Sequence, residues 1–252
     1  MNKFILVLLS SMLAFATANA AEQDTRCFEM RTYHAAPGKL DDLNARFRNH
    51  TMEIFKKHGM ENIGYWVPVD NTNNVLIYIL AYPSREAREK SWKEFGADPE
   101  WQSVQKASEA NGKLVTKVDS VFMTATDFSP AVAPSKASQS RLFELRRYHA
   151  SPGKLDDLLA RFRNHTCALF EKHGMGQFGY WVPTDQKQGA GETLIYILAH
   201  NDKAASDASW KAFRDDPDWT KVKKDSEVNG PLTVQGGVQS VFMVPTDYSP
   251  TK

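Results

Sequence analysis

The chain contains one long sequence segment twice, and this repeat constrains the fold more than any other feature. The segment EMRTYHAAPGKLDDL, which begins at Glu29, returns as ELRRYHASPGKLDDL from Glu144. The correspondence continues through a shared GYWVP segment to a shared SVFM segment near the end of each copy. Such a long period indicates two homologous units of about a hundred residues each. We therefore predict domains at residues 21–130 and 141–252, joined by an Ala-, Ser- and Pro-rich linker over residues 131–140.

The first twenty residues, 1–20, have the composition of a secretory signal peptide. Lys3 supplies a positive charge, residues 4–15 are mostly apolar, and Ala18 and Ala20 are the small residues that a signal peptidase reads. The apolar run is too short to span a bilayer. We predict cleavage after Ala20, a periplasmic or secreted protein, and no membrane association after cleavage.

Charge and cysteine content narrow the class of protein further. The formal net charge is +1 and no basic stripe is visible, so we predict no nucleic-acid partner. The only two cysteines, Cys27 and Cys167, fall at positions that do not correspond between the copies. Two cysteines define no disulfide framework, so we predict two unpaired thiols acting as small apolar groups, with a single disulfide as the alternative.

Each copy has the pattern of an α+β unit with the order β-α-β-β-α-α-β. In the first copy, residue alternation and turn signals predict strands at 28–34, 63–69, 75–82 and 118–124, and helical spacing predicts helices at 40–57, 84–95 and 100–110. This order is that of a ferredoxin-like fold, an antiparallel sheet with helices on one face. The free face needs a cover, and the second copy supplies it. We predict an internal pseudo-dimer in which the two sheets stack face to face or curl into one barrel.

Several segments together resemble the NIPSNAP family. They are EMRTY with PGKL near Glu29, the GYW strand, the LIYILAY strand and DPEW at Asp98. The second copy repeats them as ELRRY with PGKL, GYW, LIYILAH and DPDW, so the resemblance covers nearly all of the chain after residue 20. It implies the dimeric α/β-barrel superfamily, which includes cofactor-independent monooxygenases, haem-degrading enzymes and chlorite dismutases. It implies no established reaction for the NIPSNAP branch itself.

Alternation in the first strand separates a polar face from an apolar one. We predict that the apolar set packs on the helices and that the polar set faces the barrel interior as a ligand site. The apolar set is Phe28, Met30 and His34, with Phe143, Leu145 and His149 in the second copy. The polar set is Glu29, Arg31 and Tyr33, with Glu144, Arg146 and Tyr148. The aromatic residues predicted to wall the same cavity are Trp66, Tyr78, Trp181 and Tyr196.

In this site, either arginine would hold an anionic or carbonyl group of a ligand, and the phenol would be a second donor. The structural alternative is that each Glu–Arg pair only neutralises itself and that the aromatic residues only fill the core. No H-E-x-x-H or C-x-x-C motif occurs, so we predict no metal and no cofactor, although a single histidine as a haem ligand stays open. No catalytic residue can be assigned.

Three function classes follow from these features. The first is a binding protein that encloses a small aromatic or carboxylated molecule between the repeats. The second is an enzyme of the cofactor-independent monooxygenase type, and the third is a scaffold that recruits a protein partner. Because a fused pair is free to diverge, we also predict chemically unequal halves. The differences that point to this are Thr32 and Arg147, Met52 and Cys167, and Tyr82 and His200.

Overall fold

The computed structural model describes residues 23–135, 137 and 139–252, and the predicted signal segment lies outside them. Each repeat forms a ferredoxin-like unit, and the two sheets join edge to edge into one closed eight-stranded barrel with the helices outside. The predicted α+β fold and the barrel are confirmed, and the face-to-face stack of two separate sheets is excluded.

The strands of the two repeats correspond one to one. The first repeat contributes β1 (Cys27–Ala35), β2 (Glu61–Pro68), β3 (Val75–Tyr82) and β4 (Val115–Ala125). The second contributes β5 (Leu142–Ala150), β6 (Gly176–Pro183), β7 (Thr193–His200) and β8 (Thr233–Pro245). Around the barrel the order is β1-β3-β2-β8-β5-β7-β6-β4, so the repeats meet where β2 pairs with β8 and where β4 pairs with β6.

The helices also correspond between the repeats. The first repeat contains α1 (Leu40–Arg46), a π-helical turn (Phe47–Thr51), α2 (Met52–Lys57), α3 (Arg85–Ala97) and α4 (Pro99–Ser108). The second contains α5 (Leu155–Arg161), a π-helical turn (Phe162–Thr166), α6 (Cys167–Lys172), α7 (Lys203–Asp215) and α8 (Pro217–Ser226). A short 3-10 turn, Gln186–Gln188, lies in the longer loop between β6 and β7.

Side-chain caps fix the ends of these helices. The Ser84 hydroxyl accepts a hydrogen bond from the Ala87 N–H at 3.2 Å, which begins α3. Asp98 begins α4 by accepting from the Glu100 N–H at 2.8 Å, and its carboxylate also lies 2.7 Å from Nε2 of His58 at the end of α2. The D-P-x-W motif therefore joins the end of α2 to the start of α4, and the second repeat has the same contact between Asp216 and His173.

The barrel interior is a closed apolar core built from both repeats. Trp66 and Trp181 are fully buried there, and their rings pack against the other repeat's aromatic side chains. The centroid of the Trp66 ring lies 5.6 Å from that of Phe143, and the Trp181 centroid lies 5.9 Å from that of Phe28. Val132, in the segment predicted as a linker, is buried in the same core.

The predicted orientation of the first strand is wrong. Phe28 and Met30 face the barrel interior, whereas Tyr33 packs in the layer between the sheet and the helices. Glu29 and Arg31 lie on that helix side as well, bound to side chains of α3. The apolar face of β1 points inward because the barrel centre contains apolar side chains from both repeats. The polar face points toward α3 because this helix supplies hydrogen-bond partners for it. The same inversion holds for Phe143 and Leu145 against Glu144, Arg146 and Tyr148.

Two further predictions concern cysteines and membranes. Cys27 and Cys167 are unpaired, as expected, but they are half-buried and not fully enclosed. Among the residues that the structure describes, no helix has the length and apolar character needed to cross a membrane.

Candidate functional site

A buried carboxylate lies between the sheet and α3 in the first repeat. Glu29 is fully buried, and the Arg88 guanidinium donates to both of its oxygens at 2.8 and 2.9 Å. Arg31 and the Ser120 hydroxyl also donate to Glu29, the latter at 2.7 Å, and the Tyr82 hydroxyl lies 3.1 Å away. Burial, the largest effect, raises the pKa of Glu29, but the Arg88 hydrogen bond and the nearby positive charges outweigh it and lower that pKa overall.

The second repeat buries the equivalent carboxylate with other partners. Glu144 accepts from Trp210 Nε1 at 2.7 Å and from the Ser240 hydroxyl at 2.6 Å, and it pairs with Arg146. Nε2 of His200 lies 3.2 Å from its second oxygen. Burial raises the pKa of Glu144, yet the hydrogen bond from His200 and the charge of Arg146 bring it down to about 2.

The two carboxylate sites differ by a coordinated exchange. His200 takes the position of Tyr82, and Ser206 takes the position of Arg88, so one imidazole replaces a phenol and a guanidinium. Ser206 is fully buried, and its hydroxyl has no hydrogen-bond partner among the described residues. The prediction of unequal halves is supported here by side chains that contact the buried acid.

An arginine connects each carboxylate to an aromatic cavity. The Arg31 guanidinium carbon lies 4.2 Å from the centroid of the Trp92 ring and 5.5 Å from that of Tyr33. Behind Tyr33, the fully buried Tyr78 hydroxyl has no hydrogen-bond partner in the described part of the chain. Burial raises the pKa of Tyr78 well above its usual range, so this phenol remains neutral.

The cavity of the first repeat opens between β1, β4 and the helices and has a volume of about 470 Å³. Six aromatic side chains line it: Tyr33, Phe47, Phe55, Trp92, Phe95 and Trp101. Its polar lining consists of Arg46, Thr51, Gln105, Glu109 and Lys113. The Arg46–Glu109 ion pair, 3.1 Å long, forms part of one wall, and Arg46 also lies 5.2 Å from the Trp101 ring centroid. The volume and the mostly aromatic lining are those of a small-molecule pocket.

The π-helical turn shapes this cavity. Phe47 and Thr51, the first and last residues of the turn, both line it, while residues 48–50 between them face solvent. The Thr51 hydroxyl donates to the Arg46 carbonyl at 3.2 Å, which holds the Thr51 side chain against the turn. Short π-helical turns within α-helices occur frequently at functional sites. The same turn recurs at Phe162–Thr166 in the second repeat.

The cavity of the second repeat is equivalent but smaller, about 280 Å³. The aromatic positions are retained as Tyr148, Phe162, Phe170, Trp210, Phe213 and Trp219. The polar rim differs, because Lys223 stands at the position of Gln105 and Pro231 at that of Lys113. The two repeats therefore offer cavities of one shape with different sizes and with their rim lysines in different places.

The ten residues predicted to form a site are divided by the sheet. Eight of them lie on the helix side, four in each repeat: Glu29, Arg31, Tyr33, Tyr78, Glu144, Arg146, Tyr148 and Tyr196. Trp66 and Trp181 lie in the barrel interior instead and share no cavity with them. The sequence reasoning missed Arg88 and Trp92 of α3, although their spacing of four places both on one helix face toward the sheet.

Comparison with known proteins identifies the family. The model of the NIPSNAP family matches residues 28–130 and 143–250, nearly all of both repeats. The chain belongs to the NIPSNAP family. It is 23% identical over 240 residues to Protein NipSnap homolog 3B of Mus musculus, covering 94% of this chain and 90% of that protein. It is 22% identical over 158 residues to Protein NipSnap homolog of Dictyostelium discoideum, covering 62% of this chain and 63% of that protein's length.

Solved structures share the fold of the whole NIPSNAP chain at low sequence identity. An anthrone oxidase-like protein superposes with a TM-score of 0.57 at 14% identity, covering 90% of this chain and 93% of that one. A putative monooxygenase from Lactobacillus acidophilus NCFM superposes with a TM-score of 0.55 at 10% identity, covering 88% and 94%. These similarities establish the barrel fold that the chain forms within a single polypeptide.

Proposed function

We propose that the protein binds a small aromatic molecule in the cavity between sheet and helices of the first repeat. The observation that carries this proposal is the cavity of about 470 Å³ lined by six aromatic side chains, with a π-helical turn forming one side. The ligand position differs from the one expected from the sequence, which lay between the two repeats, because the barrel interior is packed with apolar side chains. Aromatic rings bind best against such walls, edge-on or in offset stacks.

The polar lining favours an oxygen substituent on that ligand. Lys113 and Gln105 lie on the cavity lining, and Lys113 has no ion-pair partner among the described residues. An ammonium group attracts a carboxylate or an ionised phenol, and Gln105 offers a second donor. We therefore expect a planar aromatic carboxylate or phenol to bind with its ring among the aromatic side chains and its oxygen at the rim.

The test uses 2-naphthoate as the probe and isothermal titration calorimetry as the measurement. Val118 lines the cavity of the first repeat and Val238 that of the second, with exposed fractions of 41% and 42%. Val118→Phe should narrow the first cavity and weaken binding about tenfold or more, as poor fit in a hydrophobic pocket does. Val238→Phe is the matched control and should leave the affinity of the first cavity unchanged. Equal affinities for the parent and both variants would contradict the proposal.

A second candidate is oxygen-dependent oxidation of a polycyclic aromatic ligand in the same cavity. It is favoured by the fold shared with proteins described as an anthrone oxidase-like protein and a putative monooxygenase, each covering about nine-tenths of the chain. Oxidation of anthrone by one O₂ yields anthraquinone and water. Oxygen uptake with anthrone, lost in Val118→Phe and retained in Val238→Phe, would support it, and uptake no faster than without protein would remove it.

We also propose that the protein is exported to the periplasm or beyond. The support is the sequence of residues 1–20 alone, with its positive, apolar and small-residue parts in order. Cell fractionation followed by intact-mass measurement tests this proposal. A cytoplasmic protein that retains residues 1–20 would refute it.

A further inference from the structure

The two places where the repeats join are related by the internal pseudo-twofold axis but end differently. At the β4–β6 junction, the Thr184 N–H donates to the Phe122 carbonyl at 2.9 Å, and β6 then leaves the sheet. The carboxamide of Gln188 continues the ladder beyond that point. Its oxygen accepts from the Phe122 N–H and its nitrogen donates to the Ser120 carbonyl, both at 2.8 Å. A side-chain amide thus occupies the position of one more strand residue.

The β8–β2 junction has the same last backbone hydrogen bond, but no side chain continues the ladder beyond it. The Val69 N–H donates to the Phe242 carbonyl at 2.8 Å, which corresponds to the Thr184 contact. The turn from β2 to β3 is shorter than its counterpart and contains no residue equivalent to Gln188. The N–H and C=O of one strand residue point to the same edge of the strand, and residues two apart share that edge. Because the Phe242 carbonyl points to Val69, the Phe242 N–H and the Ser240 carbonyl also point to this edge, away from β5. Neither has a hydrogen-bond partner among the described residues.

A groove of about 750 Å³ lies along this open edge. Its lining includes Val69, Asp70, Leu142, Lys203, Val241 and Val244. The three valines are unusually exposed for apolar side chains: Val69 has an exposed fraction of 61%, Val241 of 38% and Val244 of 40%. An unpaired strand edge with exposed apolar side chains is a template for another chain.

In the first repeat the equivalent groove is covered by the chain itself. The Arg85 guanidinium lies 3.3 Å from the centroid of the Phe122 ring and pairs with Asp185 at 3.4 Å. The counterpart of Arg85 is Lys203, which pairs with Asp207 along its own helix and not with Asp70. The difference between the junctions is therefore both a missing amide and a missing ion pair.

We propose that the β8 groove binds an extended peptide segment of another protein, added parallel to β8. In a parallel ladder, an added residue bonds the two residues that flank its opposite residue on the neighbouring strand. Its C=O accepts from the N–H of the residue that follows the opposite residue, and its N–H donates to the C=O of the residue that precedes it. The Gln188 amide makes this pair of bonds around Val121, and the free groups at Phe242 and Ser240 form the same pair around Val241. The peptide residue opposite Val241 takes the place of the amide, and an apolar side chain of the peptide contacts Val69, where β2 leaves the sheet.

Hydrogen exchange at two backbone amides tests the proposal directly and does not depend on the proposed aromatic ligand. In the free protein, the Phe242 N–H should exchange at least about tenfold faster than the Phe122 N–H, which Gln188 covers. The probe is a capped, labelled heptapeptide with alternating threonine and valine between two terminal lysines. Millimolar probe should slow exchange at Phe242 at least about tenfold and leave exchange at Phe122 unchanged.

Two variants complete the experiment. Replacing residues 71–74 with residues 186–192 should supply the missing amide, protect the Phe242 N–H and abolish probe binding. Gln188→Ala should instead speed exchange at Phe122. The proposal is overturned if the Phe242 N–H is already protected without probe, as in a dimer of this chain seen by sedimentation. It is overturned equally if millimolar probe leaves exchange at Phe242 unchanged.

Discussion

Glu29 and Glu144 occupy equivalent positions, but different partners neutralise them. Glu29 is bound by Arg31 and Arg88, whereas Glu144 is bound by Arg146 and faces His200. A buried carboxylate is costly unless it is paired and fully hydrogen-bonded. At the scale of single residues, the two sites therefore differ by the loss of the second guanidinium and the gain of an imidazole.

Removing Arg88 should destabilise the protein far more than removing a surface arginine. Arg88→Ala leaves Glu29 buried with one guanidinium fewer, and breaking such a pair costs about 3–5 kcal/mol in the free energy of unfolding. Arg48→Ala is the control, because its ion pair with Asp247 is exposed and should contribute less than about 1 kcal/mol. Urea denaturation at neutral pH measures both. Equal effects of the two substitutions would show that Arg88 does not stabilise Glu29.

Glu144 should give the protein an acid-sensitive contribution to stability. Its pKa falls from 4.5 in the unfolded chain to about 2 in the folded protein, so the folded state favours the ionised form. The resulting stabilisation, about 3 kcal/mol, is complete above pH 4.5 and is lost as the pH falls toward 2. In urea denaturation at a series of pH values, Glu144→Gln should lose this dependence. Glu53→Gln, at an exposed site on α2, should follow the parent profile.

At the scale of elements, the sequence was sufficient for the order of strands and helices but not for the direction of their faces. Alternation in β1 separates Glu29 and Arg31 from Phe28 and Met30, yet both faces of this sheet are covered. The alternation therefore shows that the strand has two faces, but it does not show which face points into the barrel and which points toward the helices. The residue that binds Glu29 on the helix side is Arg88 of α3, which is far from β1 in the sequence.

The π-helical turn could not be predicted from the sequence pattern either. Leu40, Leu43, Phe47 and Phe55 satisfy ordinary helical spacing, and one residue of widening near Phe47 leaves that pattern recognisable. The cavity that depends on the turn was missed for this reason. The Thr51 hydroxyl bonds the Arg46 carbonyl and the side chain faces the cavity, and helical spacing predicts neither contact.

Two glycines in different elements should respond oppositely to alanine. A Cβ on Gly64 in β2 would overlap the Trp66 indole, so Gly64→Ala should cost about 2–3 kcal/mol through overpacking of the barrel core. A Cβ on Gly96 in α3 meets no atom within 4 Å, so Gly96→Ala should stabilise the helix by about 0.5–1 kcal/mol. Thermal unfolding of both variants checks the pair. A neutral Gly64→Ala would mean that the Trp66 ring is free to move aside.

For the whole molecule, barrel closure makes the two repeats mutually dependent. Every strand is paired on both sides around the ring, and the interior core mixes residues of both halves, such as Trp66 with Phe143 and Phe178. The outer cavities, in contrast, each belong to one repeat. Folding is thus shared between the repeats while the candidate sites are separate, which allows one site to diverge without loss of the fold.

A separated first repeat should consequently not persist as a folded monomer. Residues 23–135 alone would expose the interior faces of Phe28, Ile77 and Trp66, a larger apolar patch than soluble monomers tolerate. We expect this fragment to unfold or to self-associate, and mixing it with residues 141–252 should restore a one-to-one complex. Native mass spectrometry measures assembly, and the fluorescence of a fragment that carries Trp92→Phe and Trp101→Phe measures burial of Trp66. A folded, monomeric fragment with a buried Trp66 would show that one repeat covers its own sheet and that the shared interior is not needed for stability.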